Sequence, residues 1–170
     1  MIIPPFPILN SSFSNEADFK NLKNILNKKY ILGVILLRLG RYAIGTLEGE
    51  KLLTTKTRGR YVKNRHKAGG SSQRRFERSR ERLIRELYDK TCEISKEIFG
   101  PYESRIDHLF FGGEKHTING FKKRCIYINR FKNQILERSL LFQHDPNQKT
   151  LENIHKEVWK SKLYEIPNEY

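Results

Sequence analysis

The chain predicts an α/β fold in which a mixed five-stranded sheet carries helices on both faces. Three observations carry that expectation. Within residues 30–57, three apolar, β-branched runs follow one another with only tight turns between them, the pattern of an antiparallel meander. After a long polar gap, one helical period extends to residue 99. Beyond it, short apolar strands alternate with helical stretches, which sets strands side by side and helices against their faces.

Taken in order, Ser14 or Asn15 is placed to cap a first helix in which Phe19, Leu22, Ile25 and Leu26 recur at helical spacing. Residues 30–38 form the first strand, Gly40 punctuates it, and residues 42–47 form the second. Glu48-Gly49-Glu50 then turns the chain into a third strand at 51–57. Residues 58–72 have no hydrophobic period and are rich in Gly, Arg and Lys, which marks a long exposed loop of the kind that is usually functional or disordered. Ser71 or Ser72 caps the longest helix, where Phe76, Leu83, Leu87, Thr91, Ile94 and Ile98 share one face until Gly100-Pro101 stops it. A strand at 106–111 closes on Gly112-Gly113, and Thr117 caps a helix over 118–127. The last strand is at 136–142, and Thr150 caps a final amphipathic helix with Leu151, Ile154, Val158 and Leu163 inward.

With 37% hydrophobic and 11% aromatic residues, 170 residues supply one core, so residues 1–170 read as a single domain with residues 1–28 as an N-terminal extension and helix. Cys92 and Cys125 form no Cys-x-x-Cys pair and read as core thiols in a reducing cytosol. Residues 1–13 lack a basic leader and are broken by Pro4, Pro5 and Pro7, so they are neither a signal peptide nor a membrane span. These features predict a soluble cytoplasmic protein with no membrane partner.

The net charge of +14 is unevenly spread. Residues 56–85 hold twelve Lys and Arg against Glu77 and Glu81 alone, a local surplus of ten. Such clustering favours a nucleic-acid partner, because displacing counterions from a phosphate backbone drives binding. Asp18, Asp89, Asp107 and Asp145 fall on different elements and give no carboxylate pair for a two-metal nuclease. The five histidines form no His-Glu-x-x-His motif and no Cys/His cluster, and no phosphate-binding glycine motif is present, so no metal or cofactor is expected. His66 alone lies in the basic loop, where it could contact a phosphate or move a proton.

The remaining feature is Gly69-Gly70-Ser71-Ser72-Gln73, ahead of Arg74, Arg75, Phe76 and Arg78. A neutral amide donates and accepts hydrogen bonds without titrating or repelling a phosphate. It can hold a water or a hydroxyl at an ester or phosphodiester while backbone N–H groups and arginines stabilise the developing charge. Glycine lets the backbone approach RNA closely. The plain alternative is a flexible loop that ends in an ordinary polar residue.

This segment resembles the catalytic middle domain of the eukaryotic and archaeal class-I peptide release factors, and more closely the Vms-type release-factor-like family. Release factors carry Gly-Gly-Gln ahead of a helix reading like Ser-Ala-x-Arg-Phe-x-Arg-x-Arg; here Gly69 to Gln73 is followed by Arg74-Arg75-Phe76-Glu77-Arg78-Ser79-Arg80. The likeness follows element order over about residues 30–163 and is specific over 56–99. It implies a release-factor middle-domain fold with a ribonuclease H-like motif, and release of stalled nascent chains from peptidyl-tRNA during ribosome quality control. By position Gln73 inherits the key role, with Gly69, Gly70, Ser71 and Ser72 around it in a catalytic loop at 58–73. Arg58, Arg60, Lys63, Arg65, His66, Lys67, Arg74, Arg75 and Arg78 become its RNA-binding set. The implied partners are the acceptor end of peptidyl-tRNA and the large ribosomal subunit, with the chain acting as a monomer. The departure is Ser71-Ser72 between the glycines and the glutamine, which speaks against codon-dependent termination. Ester hydrolysis and cleavage near the tRNA CCA end both stay open, as does a non-enzymatic RNA- or ribosome-binding module on the same scaffold.

Overall fold

The computed structural model of the chain describes residues 2–8, 19–62 and 71–165. A short strand β1 (Ile2–Ile3) and helix α1 (Lys20–Asn27) precede the meander β2 (Ile31–Arg38), β3 (Arg41–Glu48) and β4 (Lys51–Gly59). Helix α2 (Ser71–Phe99) passes through a 3-10 turn at Gly100–Tyr102 into β5 (His108–Gly112). Helix α3 (Lys115–Arg124), a 3-10 segment at Ile126–Phe131, β6 (Ile135–Leu140), helices α4 (Gln148–Glu152) and α5 (His155–Val158), and β7 (Lys162–Leu163) complete the order.

The main sheet runs β4-β3-β2-β5-β6. β2 pairs antiparallel with β3, and β3 with β4, whereas β2 with β5 and β5 with β6 are parallel. The expected mixed five-stranded sheet is therefore present, with β2 at its centre. Because successive strand side chains point to opposite faces, the apolar run of β2 divides between two cores. Ile31, Ile35 and Leu37 join Leu87, Ile94, Ile98, Phe111 and Phe121 on the face covered by α2 and α3. Leu32, Val34 and Leu36 join Ile25, Phe110, Leu151, Ile154 and Val158 on the face covered by α1, α4 and α5. Each large side chain so buried contributes roughly 1.5–3 kcal/mol relative to exposure.

Gly49 makes the β3–β4 turn at φ 60°, and the Trp159 indole N–H donates to its carbonyl at 3.3 Å. Gly113, at φ 136°, makes the turn from β5 into α3. A Cβ there would run into the carbonyl oxygen of Leu37.

Several boundaries differ from the expectation, each for a local reason. Ser14 and Asn15 lie outside the described residues, and α1 follows Phe19, with Ile25 its buried residue. α3 starts after Glu114 at its N-cap, so Thr117 is a buried helical residue and not the cap. The final helix is two short ones, capped by Asn147, whose side-chain oxygen accepts from the Thr150 N–H at 2.8 Å. Asn outranks Thr as a cap. Leu163 is not inward: it lies in β7, 73% exposed, paired with Ile2 in a separate two-stranded sheet. Between these ends Phe6 is buried, its ring centroid 4.2 Å from Tyr30, 5.2 Å from His108 and 4.9 Å from Trp159.

Cys92 and Cys125 are not free core thiols. They are joined in a disulfide, with Cα atoms 5.4 Å apart. α2 and the end of α3 pack closely enough to bring them together across 33 residues of sequence. Among the described residues, no helix is long and apolar enough to cross a membrane.

Candidate catalytic arm and nucleic-acid interface

Helix α2 has two halves with different surroundings. From Leu87 onward its inner face is buried, with Thr91, Ile94, Ser95, Ile98 and Phe99 under the sheet. Thr91 and Ser95 satisfy their hydroxyls within the helix by donating to the carbonyls of Leu87 and Thr91 at 2.7 and 2.8 Å. Over residues 73–86 none is buried. The expected inward face thus starts at Leu87; Phe76 is 42% exposed and Leu83 half-buried. Ile84 still packs against the core, so residues 71–82, about 18 Å of helix at 1.5 Å per residue, stand clear of it as an arm.

The arm leaves from a defined corner. Lys56 pairs with Glu97 and Arg60 with Glu86, each at 2.6 Å, so β4 and α2 run antiparallel. Gly59 pairs with Arg41, which pairs with Arg38 at the end of β2. The arm therefore departs at the carboxyl end of the parallel strands, where ligand sites of open α/β sheets gather.

At its root the arm is held against α3 in three ways. Gly120 lets α3 approach Tyr88 so closely that a Cβ would meet its hydroxyl at 2.8 Å. Asp89 accepts from Arg124 Nε and Nη2 at 2.5 and 2.7 Å. That hydrogen bonding holds the Asp89 carboxyl below its usual range and raises the Arg124 guanidinium. The Cys92–Cys125 disulfide follows one turn on.

Gln73 stands in the first turn of α2, and its Nε2 donates to Glu77 Oε1 at 3.1 Å. One N–H of the amide is so engaged, which leaves the second N–H to donate and the carbonyl oxygen to accept a hydrogen bond from a water or a hydroxyl. Arg74, Arg75 and Arg78 are exposed on the same helix. Arg58 is exposed in β4, which runs on to Gly59, while Arg60 is tied to Glu86. Ser71 and Ser72 are the first two residues of α2 and do not precede it. Gly69, Gly70, Lys63, Arg65, His66 and Lys67 lie outside the described residues. Helix α2 also carries exposed Arg82 and Arg85, which the sequence reading left out. Their spacing of seven and ten residues after Arg75 was the available signal.

Among the described residues, no group of three His, Cys, Asp or Glu side chains stands together. A cleft of about 580 Å³ opens past the end of β6, on the face covered by α4 and α5, lined by Phe142, His144, Lys149 and Lys156 among others. None of the predicted site residues lines it.

Residues 31–164 match the family described as Actinobacteria/chloroflexi VLRF1 release factor. Peptide chain release factor subunit 1 of Archaeoglobus fulgidus is 27% identical over 164 residues, which is 95% of this chain and 39% of that factor. The same factor from Methanosphaera stadtmanae is 32% identical over 120 residues, 69% of this chain and 29% of the factor. The chain thus spans well under half the length of these relatives. Among solved structures, the Vms1 mitochondrial localization core has a TM-score of 0.57 at 16% identity, covering 89% of this chain and 68% of that one. The archaeal translation termination factor aRF1 has a TM-score of 0.53 at 17% identity, covering 74% and 34%. These two likenesses show a shared fold, that of the release-factor middle domain. The family match takes in the whole main sheet, the arm and its α3 anchor, and by it this chain belongs to the VLRF1 family of release factors.

Proposed function

We propose that this chain frees stalled nascent chains on the large ribosomal subunit by cleaving peptidyl-tRNA, either at the ester or near the tRNA CCA end, and that Gln73 is the residue that does it. The observation that carries this reading is the amide in the first turn of an arm that projects from the body and is flanked by arginines. A projecting helix reaches into a crevice that a compact surface cannot enter. In the ester route, Gln73 positions the attacking water, and backbone N–H groups of residues 70–72 stabilise the tetrahedral oxyanion. In the phosphodiester route, a ribose 2′-hydroxyl attacks the adjacent phosphorus and the 5′-oxygen leaves, with Arg74 or Lys67 neutralising the added charge. Neither route calls on a metal or cofactor. The chain works as a cytoplasmic monomer and as one domain, with Arg58, Lys63, Arg65 and His66 as further RNA contacts.

The eukaryotic and archaeal class-I release factors that the segment resembles place glutamine directly after the glycines, eight residues spanning Gly-Gly-Gln-Ser-Ala-x-Arg-Phe. Gly69 to Phe76 is also eight residues, so the glycine-to-phenylalanine distance is kept and the amide sits two positions further into the helix. Two positions turn a helix by about 200°. Comparing Gln73→Ala with Ser71→Ala therefore tells which position carries the chemistry.

The test is to incubate wild type and both variants with stalled large subunits bearing labelled peptidyl-tRNA, then map the tRNA 3′ end. Gln73→Ala is expected to slow release by about 10²–10³-fold, the usual loss when one positioned polar group is removed. Peptide released with intact tRNA identifies an ester hydrolase, and peptide that retains 3′ nucleotides identifies a tRNA endonuclease. One observation favours a second reading, a binding module without chemistry: the Gln73 amide already bonds Glu77. Ribosome binding with no Gln73-dependent product would establish it.

A further inference from the structure

We propose that the arm holds RNA on two opposite faces, and that a ridge of Arg75, Arg78, Arg82 and Arg85 grips a structured RNA segment other than the one presented to Gln73. This rests on the proposed function only for the role of Gln73. The four arginines are exposed and follow at steps of three, four and three residues. At about 100° per residue they fall within a sector of about 80°, along about 15 Å of helix. Glu77 turns away from that sector; Glu81 and Glu86 flank it by about 40° and 20°, and Glu86 Oε1 lies 3.9 Å from Arg82 Nε, a long exposed pair that leaves the Arg82 guanidinium open to a phosphate. The same line next meets Asp89, whose charge is matched by the two bonds from Arg124 of α3. The ridge thus ends where the arm enters the body.

Gln73 lies about 160° around the helix from the centre of the ridge, in line with Phe76 and the buried Leu87. A strand held by the ridge cannot also reach that amide across the helix. The chemistry of the ridge selects phosphate. Guanidinium forks match phosphate oxygens in pairs. A protein partner would want apolar or aromatic anchors at the centre of its footprint, and the ridge sector has none.

The test is fluorescence anisotropy with a labelled RNA duplex, titrated at a series of salt concentrations, and with fluorescent polyglutamate as the acidic-polypeptide probe. Replacing all four ridge arginines by glutamine is expected to flatten the plot of log affinity against log salt by about 3, since each phosphate contact contributes roughly 0.7–0.9. Removing two charges elsewhere, Lys149→Gln with Lys156→Gln, leaves the slope unchanged, and Gln73→Ala binds the duplex as wild type does. Circular dichroism and a thermal melt matching wild type show that the fourfold variant is folded. An unchanged salt slope in that folded variant overturns the ridge. Ridge-dependent binding that is tighter to polyglutamate than to the duplex overturns RNA as its partner. Neither result bears on whether Gln73 is needed for peptidyl-tRNA cleavage, so the two readings fail separately.

Discussion

Gly113 shows how one residue can fix the geometry around a site without touching it. It sits where β5 hands over to α3, with a backbone angle that side-chain-bearing residues avoid and with the Leu37 carbonyl filling the space of a Cβ. Gly113→Ala must strain the backbone and push on the central strand together, so a loss of about 2–4 kcal/mol is expected in denaturant unfolding. Gly-Gly at 112–113 was legible as a strand end, but the contact with Leu37 was not, because 76 residues separate the two. The candidate site divides similarly. Gln73 stood out because glycines and arginines frame it in sequence. The ion pair of Arg60 with Glu86, which ties one member of the expected RNA-binding set to α2, depends on how β4 lies along α2.

At the scale of elements, the decisive feature is that α2 is a single helix in sequence and two in environment. Its apolar period continues through Leu83 to Phe76, yet the sheet ends before they do. Periodicity reports which side of a helix is apolar and says nothing about where its neighbour stops. The same gap hid the disulfide, since 33 residues between cysteines fit a loop, a bridge or two free thiols. Closing a loop of that length restricts the unfolded chain by about 3–4 kcal/mol in the chain-entropy account. Reduction, or Cys92→Ser, should lower unfolding stability by that order, measured as a shift in denaturant midpoint with and without a dithiol. A negligible shift would mean that packing and the Asp89–Arg124 pair hold the arm root unaided. Exposed pairs alone contribute about 0–1 kcal/mol. The strands and their order along the chain were the most legible part of the fold, because the meander and the parallel strands are written as short apolar runs between turn residues. The caps were the least legible: Asn147 and Glu114 compete with neighbours of similar chemistry, and backbone geometry decides between them.

For the molecule as a whole, the second core links the segment at residues 2–8 to the sheet and to the helices after β6. His108 stacks on Phe6 at that junction, beside Tyr30, with Asp107 and Lys28 as the charged groups near it. Burial pushes the His108 imidazole below its ordinary value, Asp107 opposes that shift and Lys28 adds to it. The unfolded chain therefore takes up a proton first as pH falls. The contribution of His108 to stability is complete above about pH 6.5 and is lost as pH drops from there through its lower folded value. Thermal melts should fall between pH 7.5 and pH 5, and His108→Gln should flatten that dependence; an equal fall in the variant would assign it to other groups. The pairing of Ile2 with Leu163 and Ile3 with Lys162 adds a mechanical consequence. Tension applied between residues 2 and 163 acts across these two strands and not along them, so their hydrogen bonds open one after another like a zipper. The load then passes to the ring of Phe6 before it reaches the five-stranded sheet, which gives the fold two weak links in series that yield while the sheet stays intact.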